Sequence, residues 1–403
     1  MKYTFDAVII GGGAAGLICA VAAKKHNPSL RVAVLEKNDR VGKKLLSTGN
    51  GRCNLTNENV SPEKYVGKGA AQTAAAVLQK VDAQALLAYF RDLGLLTSKD
   101  SEGRYYPLCR QASAVLDVLR FQCDSLGVSL FCGEAVKNVK KKKSFAVQTE
   151  QNIFFADKLV IACGSPAAPK LGGCDSLDAL GLSHRTSPFV PALCPIRVRS
   201  DLLKSLKGLR VNAEARLVND RKVIKSERGE VQFNEDNLSG ICLFDLSLYT
   251  EQGKLISLDL LPDISENELY NILLRNKSSY SKLPADNIFT GILQKRIAQA
   301  VLKQAQVKDF SRACDKLGEA EIRAAAKSAK ALTFAVKGNM GFDRAQACRG
   351  GIMIPGQIAP DTLQSRLTEK LWFCGEALDV CGECGGFNLH FAFAGGIIVG
   401  EQL

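Results

Sequence analysis

The chain has 403 residues, of which 46% are hydrophobic and 23% are charged, a composition ordinary for a globular protein of two or three domains. No uninterrupted apolar stretch reaches the ~20 residues of a membrane-spanning helix, and the first apolar run is too short for a signal peptide. We therefore expect no membrane contact and a cytoplasmic location. The chain has fourteen cysteines but is too long and too apolar to need a disulfide framework, so we expect buried thiols in a reducing compartment.

The formal net charge of +12 admits two interpretations. A basic surface can bind nucleic acid or another polyanion, whereas scattered lysines only solvate the surface and help to hold an anionic dinucleotide. The dense run Lys140–Lys143 lies between two strand-like segments, which predicts a hairpin tip in water. No nucleic-acid-binding motif accompanies the charge, so we expect a small-molecule substrate as the partner and keep RNA as the alternative.

The first segment of the chain has the pattern of a strand, a glycine turn and a helix. The apolar run Phe5–Ile10 ends in three glycines, and Leu17–Ala23 has helical composition. Gly11 permits the turn, Gly13 lets backbone amides approach a pyrophosphate, and Gly16 lets the helix pack close to the strand. This pattern predicts a dinucleotide site at the helix start.

A second strand-like run, 30–35, ends in Glu36, at the spacing expected for an acid that holds a ribose hydroxyl. The polar segment 37–57 follows, and long loops in compact domains tend to be functional. Lys43, Lys44 and Arg52 can reach phosphates. The polar side chains and glycine amides of 48–54 can line a polar ring system.

The sequence from Gly42 to Asn57, GKKLLSTGNGRCNLTN, resembles the signature of the BaiN-like or YhiN-type FAD-dependent oxidoreductases, a family that includes aminoacetone oxidase-like flavoproteins. The ending, with Gly375-Glu376, Asp379 and Gly385-Gly386, resembles the family's second signature. This resemblance implies an α/β fold: a glutathione-reductase-like FAD-binding Rossmann domain that carries an inserted β-subdomain and a helical subdomain.

The resemblance also implies where FAD binds. Amides of 13–16 hold the pyrophosphate, and 135–136 contact adenine at the end of a small meander. The segment 162–164 closes the first nucleotide half. Asp379 holds the ribityl chain, and amides of 387–389 stabilise negative charge on the isoalloxazine ring. The predicted cofactor residues are Gly11, Gly13, Ala14, Ala15, Gly16, Glu36, Lys37, Lys43, Lys44, Thr48, Gly49, Asn50, Gly51, Arg52, Cys53, Asn54, Ala135, Val136, Ala162, Cys163, Gly164, Gly375, Glu376, Asp379, Gly385, Gly386, Phe387, Asn388 and Leu389.

Composition divides the chain further. Short strand-like runs and turns alternate from 128 to 163, with strands predicted at 128–131, 135–139, 145–149, 152–154 and 158–163. Three prolines between 187 and 195 predict a domain boundary. The predicted parts are an FAD-binding domain at 1–189 and 332–403, a β-subdomain at 190–263 and a helical subdomain at 264–331.

Candidate catalytic residues are few. Cys381 and Cys384 form a Cys-x-x-Cys beside the predicted flavin, and closely spaced thiols can have a lowered pKa and redox activity. A chance pair among many cysteines is the other interpretation. His390 is either a proton donor or a hydrogen-bonded structural histidine. No metal-ligand pattern is evident.

The predicted activity is hydride transfer between flavin and a small or steroid-like organic substrate. Only one dinucleotide fingerprint is present, so NAD(P)H would reduce the flavin without a dedicated domain. Two alternatives stay open: oxidation of aminoacetone or another amine with oxygen as the acceptor, and an RNA-associated flavoprotein.

Overall fold

A computed structural model describes residues 1–174 and 176–403. Residues 1–192 and 341–403 form one unit, called here the sheet unit, and residues 193–340 form the second, called the barrel unit. The elements up to residue 192 are β1 (Lys2–Ile10), α1 (Ala14–His26), β2 (Val32–Glu36), α2 (Lys43–Ser47), β3 (Thr56–Asn57), β4 (Tyr65–Val66), α3 (Ala70–Lys80), α4 (Ala83–Asp92), β5 (Thr97–Lys99), β6 (Arg104–Pro107), α5 (Ala112–Ser125), β7 (Ser129–Cys132), β8 (Val136–Lys141), β9 (Phe145–Thr149), β10 (Ile153–Ile161) and β11 (Thr186–Ala192).

The remaining elements divide between the two units. The barrel unit contains β12 (Ile196–Arg199), α6 (Leu203–Leu206), β13 (Arg210–Asn219), β14 (Lys222–Phe233), β15 (Asn237–Ser239), α7 (Ile241–Ser247), β16 (Leu255–Asp259), α8 (Glu266–Ser279), α9 (Lys295–Gln304), α10 (Glu319–Lys330) and β17 (Leu332–Asn339). The chain then returns to the sheet unit with β18 (Ala347–Ile352), β19 (Leu371–Phe373), β20 (Cys381–Gly382) and α11 (Phe387–Gly400).

The main sheet of the sheet unit runs in the order β7-β2-β1-β10-β9-β8, and β19 pairs with β10. The pairs β1–β2, β1–β10, β2–β7 and β10–β19 are parallel, whereas β8–β9 and β9–β10 are antiparallel. The last four residues of β1 are buried, as strands covered on both faces require. This arrangement confirms the predicted α/β fold with a Rossmann-type half.

The predicted strands 152–154 and 158–163 are one continuous strand, β10. Strand β1 pairs with it in parallel on both sides of Asp157, from Lys2 opposite Ile153 to Ile10 opposite Ile161, so the ladder continues through 155–157, the residues between the two predicted strands. The predicted strand at 128–131 is β7, which pairs with β2 and not with the meander. The meander therefore consists of β8, β9 and the first half of β10.

The closing helix α11 packs directly on α1. A Cβ atom added to Gly396 would lie 2.5 Å from the Ala15 carbonyl oxygen, and one on Gly400 would lie 2.5 Å from the Cys19 carbonyl oxygen. Only glycine permits so close an approach of two helix backbones. The last helix in the chain is therefore fixed against the first.

The barrel unit is built on a closed barrel in the order β12-β15-β14-β13-β16-β17. Its helices α8, α9 and α10 share one hydrophobic core with the barrel strands, and Phe233 and Phe334 form a ring contact in that core. The predicted β and helical inserts thus lie in one unit. Strand β17 pairs with both β12 and β16, so the barrel extends beyond residue 331.

Candidate cofactor site

The opening turn has the geometry of a close-packed strand–turn–helix. Gly11 has φ +112°, and a Cβ atom there would lie 2.3 Å from the Ala162 carbonyl oxygen. A Cβ atom on Gly16 would lie 1.9 Å from the Gly11 carbonyl oxygen. Nothing lies within 4 Å of the equivalent position on Gly13, which caps α1 without a side-chain hydrogen bond. The turn is thus closed on its inner side and open at Gly13.

Glu36 lies against this turn. Its Oε2 accepts a hydrogen bond from the Gly12 N–H at 3.0 Å, and its Oε1 accepts from the Asn38 N–H at 2.9 Å. The Glu134 N–H donates to the Glu36 carbonyl oxygen at 2.9 Å, which brings Ala135 and the following residue to the end of β2. The residues predicted for ribose and adenine are therefore neighbours.

The segment 162–164, which was predicted to close the first nucleotide half, lies beside the opening turn. The Ala162 N–H donates to the Ile10 carbonyl oxygen at 2.8 Å, so 162–164 follows the opening turn closely. The Cys374 N–H donates to the Ile161 carbonyl oxygen at 3.0 Å, and a Cβ atom on Gly375 would lie 3.1 Å from the Ala15 Cβ. Gly375 therefore meets the start of α1.

An ion pair joins the predicted loop to the predicted Gly-Glu segment. Lys44 Nζ lies 2.6 Å from Glu376 Oε2, and both side chains are mostly buried. The Ser165 hydroxyl donates to the same oxygen at 3.3 Å. Residues 332 positions apart in the chain are thus held together beside the opening turn. Lys43 instead pairs with Asp39 at 2.5 Å.

The loop 48–54 turns sharply. Gly49, Asn50 and Cys53 all adopt positive φ angles of 55–57°. Arg52 lies 5.3 Å from the Tyr106 ring centroid, and its Nε donates to the Gly49 carbonyl oxygen at 3.1 Å. Thr48 bonds back to Leu45. Burial raises the pKa of the Cys53 thiol to about 12, so this thiol is a packing group. Lys37 and Gly51 are exposed.

The start of α11 is enclosed by polar groups. Gly385 and Gly386 have φ angles of +116° and +105°. A Cβ atom on Gly386 would lie 2.8 Å from Asn54 Oδ1, a buried oxygen without a hydrogen-bond partner among the described residues. Asn388 donates and accepts hydrogen bonds with the backbone of Gly382, both at 2.8 Å. Phe387 is buried and Leu389 partly buried.

His390 is completely buried, one turn into α11. Its Nε2 lies 3.0 Å from the Val81 carbonyl oxygen, which can only accept, so Nε2 carries the hydrogen. Nδ1 then accepts from the Thr56 hydroxyl at 2.8 Å. Burial lowers the pKa of His390 to about 4. This arrangement favours the structural interpretation over the proton donor.

Asp379 is buried, and its carboxylate already accepts hydrogen bonds from two backbone N–H groups. Its Oδ1 accepts from the Gly350 N–H at 2.9 Å and its Oδ2 from the Lys68 N–H at 3.3 Å. Each carboxylate oxygen retains a lone pair. A ribityl contact to Asp379 thus stays a prediction.

The surroundings of Cys381 favour the chance-pair interpretation of the Cys-x-x-Cys segment, and a redox role stays a prediction. Burial raises the pKa of the Cys381 thiol well above its usual range, because the thiolate would lose its water. Cys381 is in β20, which pairs with β4, and Cys384 is partly buried. The described residues contain no disulfide bond.

Polar atoms that have no hydrogen-bond partner in the protein indicate whether these residues fit FAD. The amides of Ala14, Ala15 and Gly16 have no hydrogen-bond acceptor among the described residues, and the space above Gly13 is open. Unpaired amides at a helix start bind phosphate. The buried Asn54 Oδ1 is an unused acceptor at the start of α11. Donors at one end and an acceptor at the other fit a dinucleotide with a polar ring system.

Sequence reasoning missed two site residues. Ser165 directly follows the predicted crossing at 162–164, and its hydroxyl donates a hydrogen bond to Glu376. Arg349 lies in β18, and its Nε is buried without a partner in the described part of the chain. The sequence signal for Arg349 was its position: a charged residue that directly follows the apolar Ala347-Cys348 and directly precedes the Gly350-Gly351 pair.

Parallel strands with open amides at the first strand–helix turn, and a closing helix packed on the opening one, define the class of Rossmann-type dinucleotide-binding proteins. Residues 5–402 match the profile of the HI0933-like protein Rossmann domain. The chain belongs to this family, which confirms the predicted resemblance and the predicted enzyme class.

Curated relatives match along nearly the whole chain. A 3-dehydro-bile acid delta(4,6)-reductase of Clostridium scindens is 33% identical over 402 residues, covering 98% of this chain and 97% of that protein. A ribosomal RNA dihydrouridine synthase of Escherichia coli is 27% identical over 411 residues, covering 97% of this chain and 96% of that protein. A ribosomal RNA dihydrouridine synthase of Haemophilus influenzae is 26% identical, covering 98% of this chain and 97% of that protein.

Among solved structures, a mutant of E. coli quinol fumarate reductase FrdA aligns with a TM-score of 0.51 and 13% identity, covering all of this chain and 70% of that chain. This is a likeness of fold alone. Within residues 1–174 and 176–403 no helix is long and apolar enough to cross a membrane. The same residues contain no cluster of potential metal ligands.

Proposed function

We propose that this protein reduces a carbon–carbon double bond conjugated to a carbonyl group in a steroid-like substrate. The observation that carries this proposal is the 33% identity, over almost the full length of both chains, to a protein named as a bile acid delta(4,6)-reductase. The unpaired polar atoms at the opening turn and at the start of α11 support a dinucleotide held between them.

In this proposal, FAD supplies hydride transfer when it is bound. The amides of Ala14–Gly16 bind the pyrophosphate, and Glu36 holds the adjacent ribose. The first amides of α11 and the positive end of its dipole favour negative charge at the ring. The Lys44–Glu376 ion pair orients the loop 48–54 against the Gly-Glu segment, because it ties the two together at 2.6 Å.

We infer that NAD(P)H is the reductant and that it binds transiently. The described residues contain one glycine turn of the dinucleotide type, which FAD would occupy. The barrel unit consists of a closed barrel and helices, so a second nucleotide domain for NAD(P)H is not evident in the described part of the chain. Anaerobic titration tests this point: NADH or NADPH should bleach the bound flavin. Bleaching by aminoacetone instead, with oxygen restoring the colour, would favour the amine oxidase alternative.

The function itself is tested by the second half of the reaction. The purified protein should be yellow, and after anaerobic reduction a steroid with a 4-ene-3-one group should restore its absorbance. Mass spectrometry should then find the substrate with two hydrogens added. A colourless protein that takes up no FAD, or a reduced protein that no conjugated steroid reoxidises, would contradict the proposal.

Ribosomal RNA is the second candidate substrate. Two relatives are named as ribosomal RNA dihydrouridine synthases, and uridine also contains a double bond conjugated to a carbonyl. The net charge of +12 favours binding of a polyanion. Steeply salt-dependent RNA binding together with dihydrouridine formation, and no steroid reduction, would reverse the order of the two candidates.

We also propose a cytoplasmic location. The described part of the chain contains fourteen cysteines and no disulfide bond, which is typical of a reducing compartment. Fractionation of the source cells with an antibody against the protein tests this, and recovery outside the cytoplasm would contradict it.

A further inference from the structure

Arg349 has an unusual environment for a guanidinium group. It lies in β18, is half-buried, and its Nε is buried without a hydrogen-bond partner in the described residues. No ion pair or side-chain hydrogen bond joins Arg349 to any described residue. A guanidinium is always charged, and an unpaired buried donor on a charged group costs free energy. The environment is therefore incomplete without a further acceptor.

Other partly buried arginines show what a structural role looks like in this fold. Arg216 pairs with Glu214 at 2.8 Å and with Asp259 at 3.2 Å. Arg104 pairs with Asp100 at 2.8 Å. Both have carboxylate partners that the fold supplies, whereas Arg349 contributes to the fold through its backbone, opposite Val190 of β11.

Arg349 also lies beside the residues predicted to hold FAD. The next residue, Gly350, donates its N–H to Asp379 Oδ1 at 2.9 Å. The Asp379 N–H in turn donates to the carbonyl oxygen of Ile352 at 3.0 Å, so β18 runs beside the segment that follows Gly375. The Glu376 carboxylate is already paired with Lys44. The missing acceptor of Arg349 is therefore expected on a ligand.

We propose that Arg349 binds the carbonyl oxygen of the conjugated substrate and stabilises the negative charge that develops there. This inference rests on the proposed function. A hydride added to the β-carbon forms a C–H bond, and the π pair of the double bond moves toward the carbonyl. Charge collects on the carbonyl oxygen until a proton from water forms the C–H bond at the α-carbon. The proposed activity supplies the hydride.

The donor geometry suits this role. The planar fork of a guanidinium directs several N–H groups at one oxygen, and its charge does not depend on pH in the working range. A donor aimed at a developing oxyanion acts most strongly where water is excluded, and removal of one such donor slows turnover about 100-fold or more.

The test compares Arg349→Gln and Arg349→Lys with Arg91→Gln, which changes an exposed arginine of α4. Each holoenzyme is first checked for FAD content and thermal unfolding, so that a folding defect is recognised. The probe is a steroid with a phenolic A ring and no carboxylate, because its phenolate resembles the enolate. Its binding is followed by the change in flavin absorbance across a range of pH. Single-turnover reoxidation by a 4-ene-3-one steroid is measured in parallel.

We expect Arg349→Gln to lower the single-turnover rate about 100-fold and to weaken phenolate binding about 10-fold or more. The apparent pKa of the bound phenol should rise, since the cation that favours its ionised form is gone. Arg349→Lys should recover part of both effects, and Arg91→Gln should match the original protein. FAD content should remain unchanged in all three variants.

Two results would overturn the inference. One is phenolate binding and turnover within twofold of the original protein in Arg349→Gln. The other is loss of binding only for steroids that carry a carboxylate, which would make Arg349 a carboxylate receptor. Failure of the proposed function is distinguishable: the original holoenzyme would then reduce no conjugated steroid, while Arg349-dependent phenolate binding would still support an oxyanion site.

Discussion

Two of the helices that begin at glycine turns in the sheet unit, α1 and α11, differ in the surroundings of their first turn. Helix α1 begins at Gly13 with no capping side chain, open space above the cap and unpaired amides at Ala14–Gly16. Helix α11 begins at Gly386 inside a polar shell, and His390 in its first turns uses both ring nitrogens.

The polar atoms at the two helix starts indicate where a ligand is expected. At α1 the protein supplies no acceptor for the first backbone donors, which leaves them available to a ligand or to water. At α11 the N–H groups of 387–389 likewise have no acceptor among the described residues, but here a buried acceptor, Asn54 Oδ1, also lies unpaired beside Gly386. Unpaired atoms therefore indicate ligand contacts more directly than the chemical type of a residue does.

The largest effect should come from closing the packed side of the opening turn. Gly16→Ala places a Cβ atom 1.9 Å from the Gly11 carbonyl oxygen, whereas Gly13→Ala meets nothing within 4 Å. We expect Gly16→Ala to lower the free energy of unfolding by about 3 kcal/mol or more, and Gly13→Ala by less than about 1 kcal/mol. Denaturant unfolding measures both, and equal losses would contradict the packing difference.

The buried and hydrogen-bonded His390 should make the free energy of unfolding depend on pH. The folded-state pKa of His390 is about 4 and the ordinary value is 6.5, so between them the unfolded chain binds more protons. The stabilisation is complete above 6.5 and is lost as pH falls toward 4. From pH 7 to pH 5 the loss should be about 2 kcal/mol.

His390→Gln should remove this part of the pH dependence, and His26→Gln, at the exposed end of α1, should keep it. Urea unfolding at the two pH values measures the difference. An unchanged pH dependence in His390→Gln would mean that the histidine is not held neutral. If the same substitution altered the pH profile of turnover at full FAD occupancy, the proton-donor interpretation would be favoured again.

The ion pair that ties the two halves of the site should have a smaller effect. Lys44→Gln and Glu376→Gln, singly and together, should give a coupling energy of about 1 kcal/mol, because both side chains are mostly buried. The exposed pair Arg31–Asp6 should give less than about 0.5 kcal/mol. Equal coupling energies in the two pairs would contradict the expected difference between a mostly buried ion pair and an exposed one.

The smallest effect is expected at the Cys-x-x-Cys segment. Cys381→Ala should cost less than about 1 kcal/mol and change turnover less than twofold, since the thiol is buried and its pKa is raised. Thiol counts before and after reduction with NADH or dithionite should be equal. A gain of two thiols on reduction would show a redox-active pair and restore the alternative.

Much of the site could be predicted from sequence because it depends on local backbone geometry. The roles of Gly11 and Gly16 follow from their spacing, and the structure gives both the expected close contacts. The run Lys140–Lys143 lies at the predicted hairpin between β8 and β9, but Lys140 and Lys141 still belong to β8 and the connection is 142–144. The continuity of β10 was missed because Asp157 and Lys158 interrupt its apolar pattern, whereas pairing with β1 on both sides of Asp157 keeps the strand intact, and no local pattern reveals that pairing.

The amino-acid sequence by itself determined the family, the α/β fold and the glycine turns, because each depends on residues within one strand–turn–helix segment. The tertiary structure alone decided that Lys44 pairs with Glu376, that His390 has both nitrogens satisfied and that Arg349 has no partner among the described residues. Hydrogen bonding and burial of these side chains depend on segments tens to hundreds of residues away, and only folding brings those segments together.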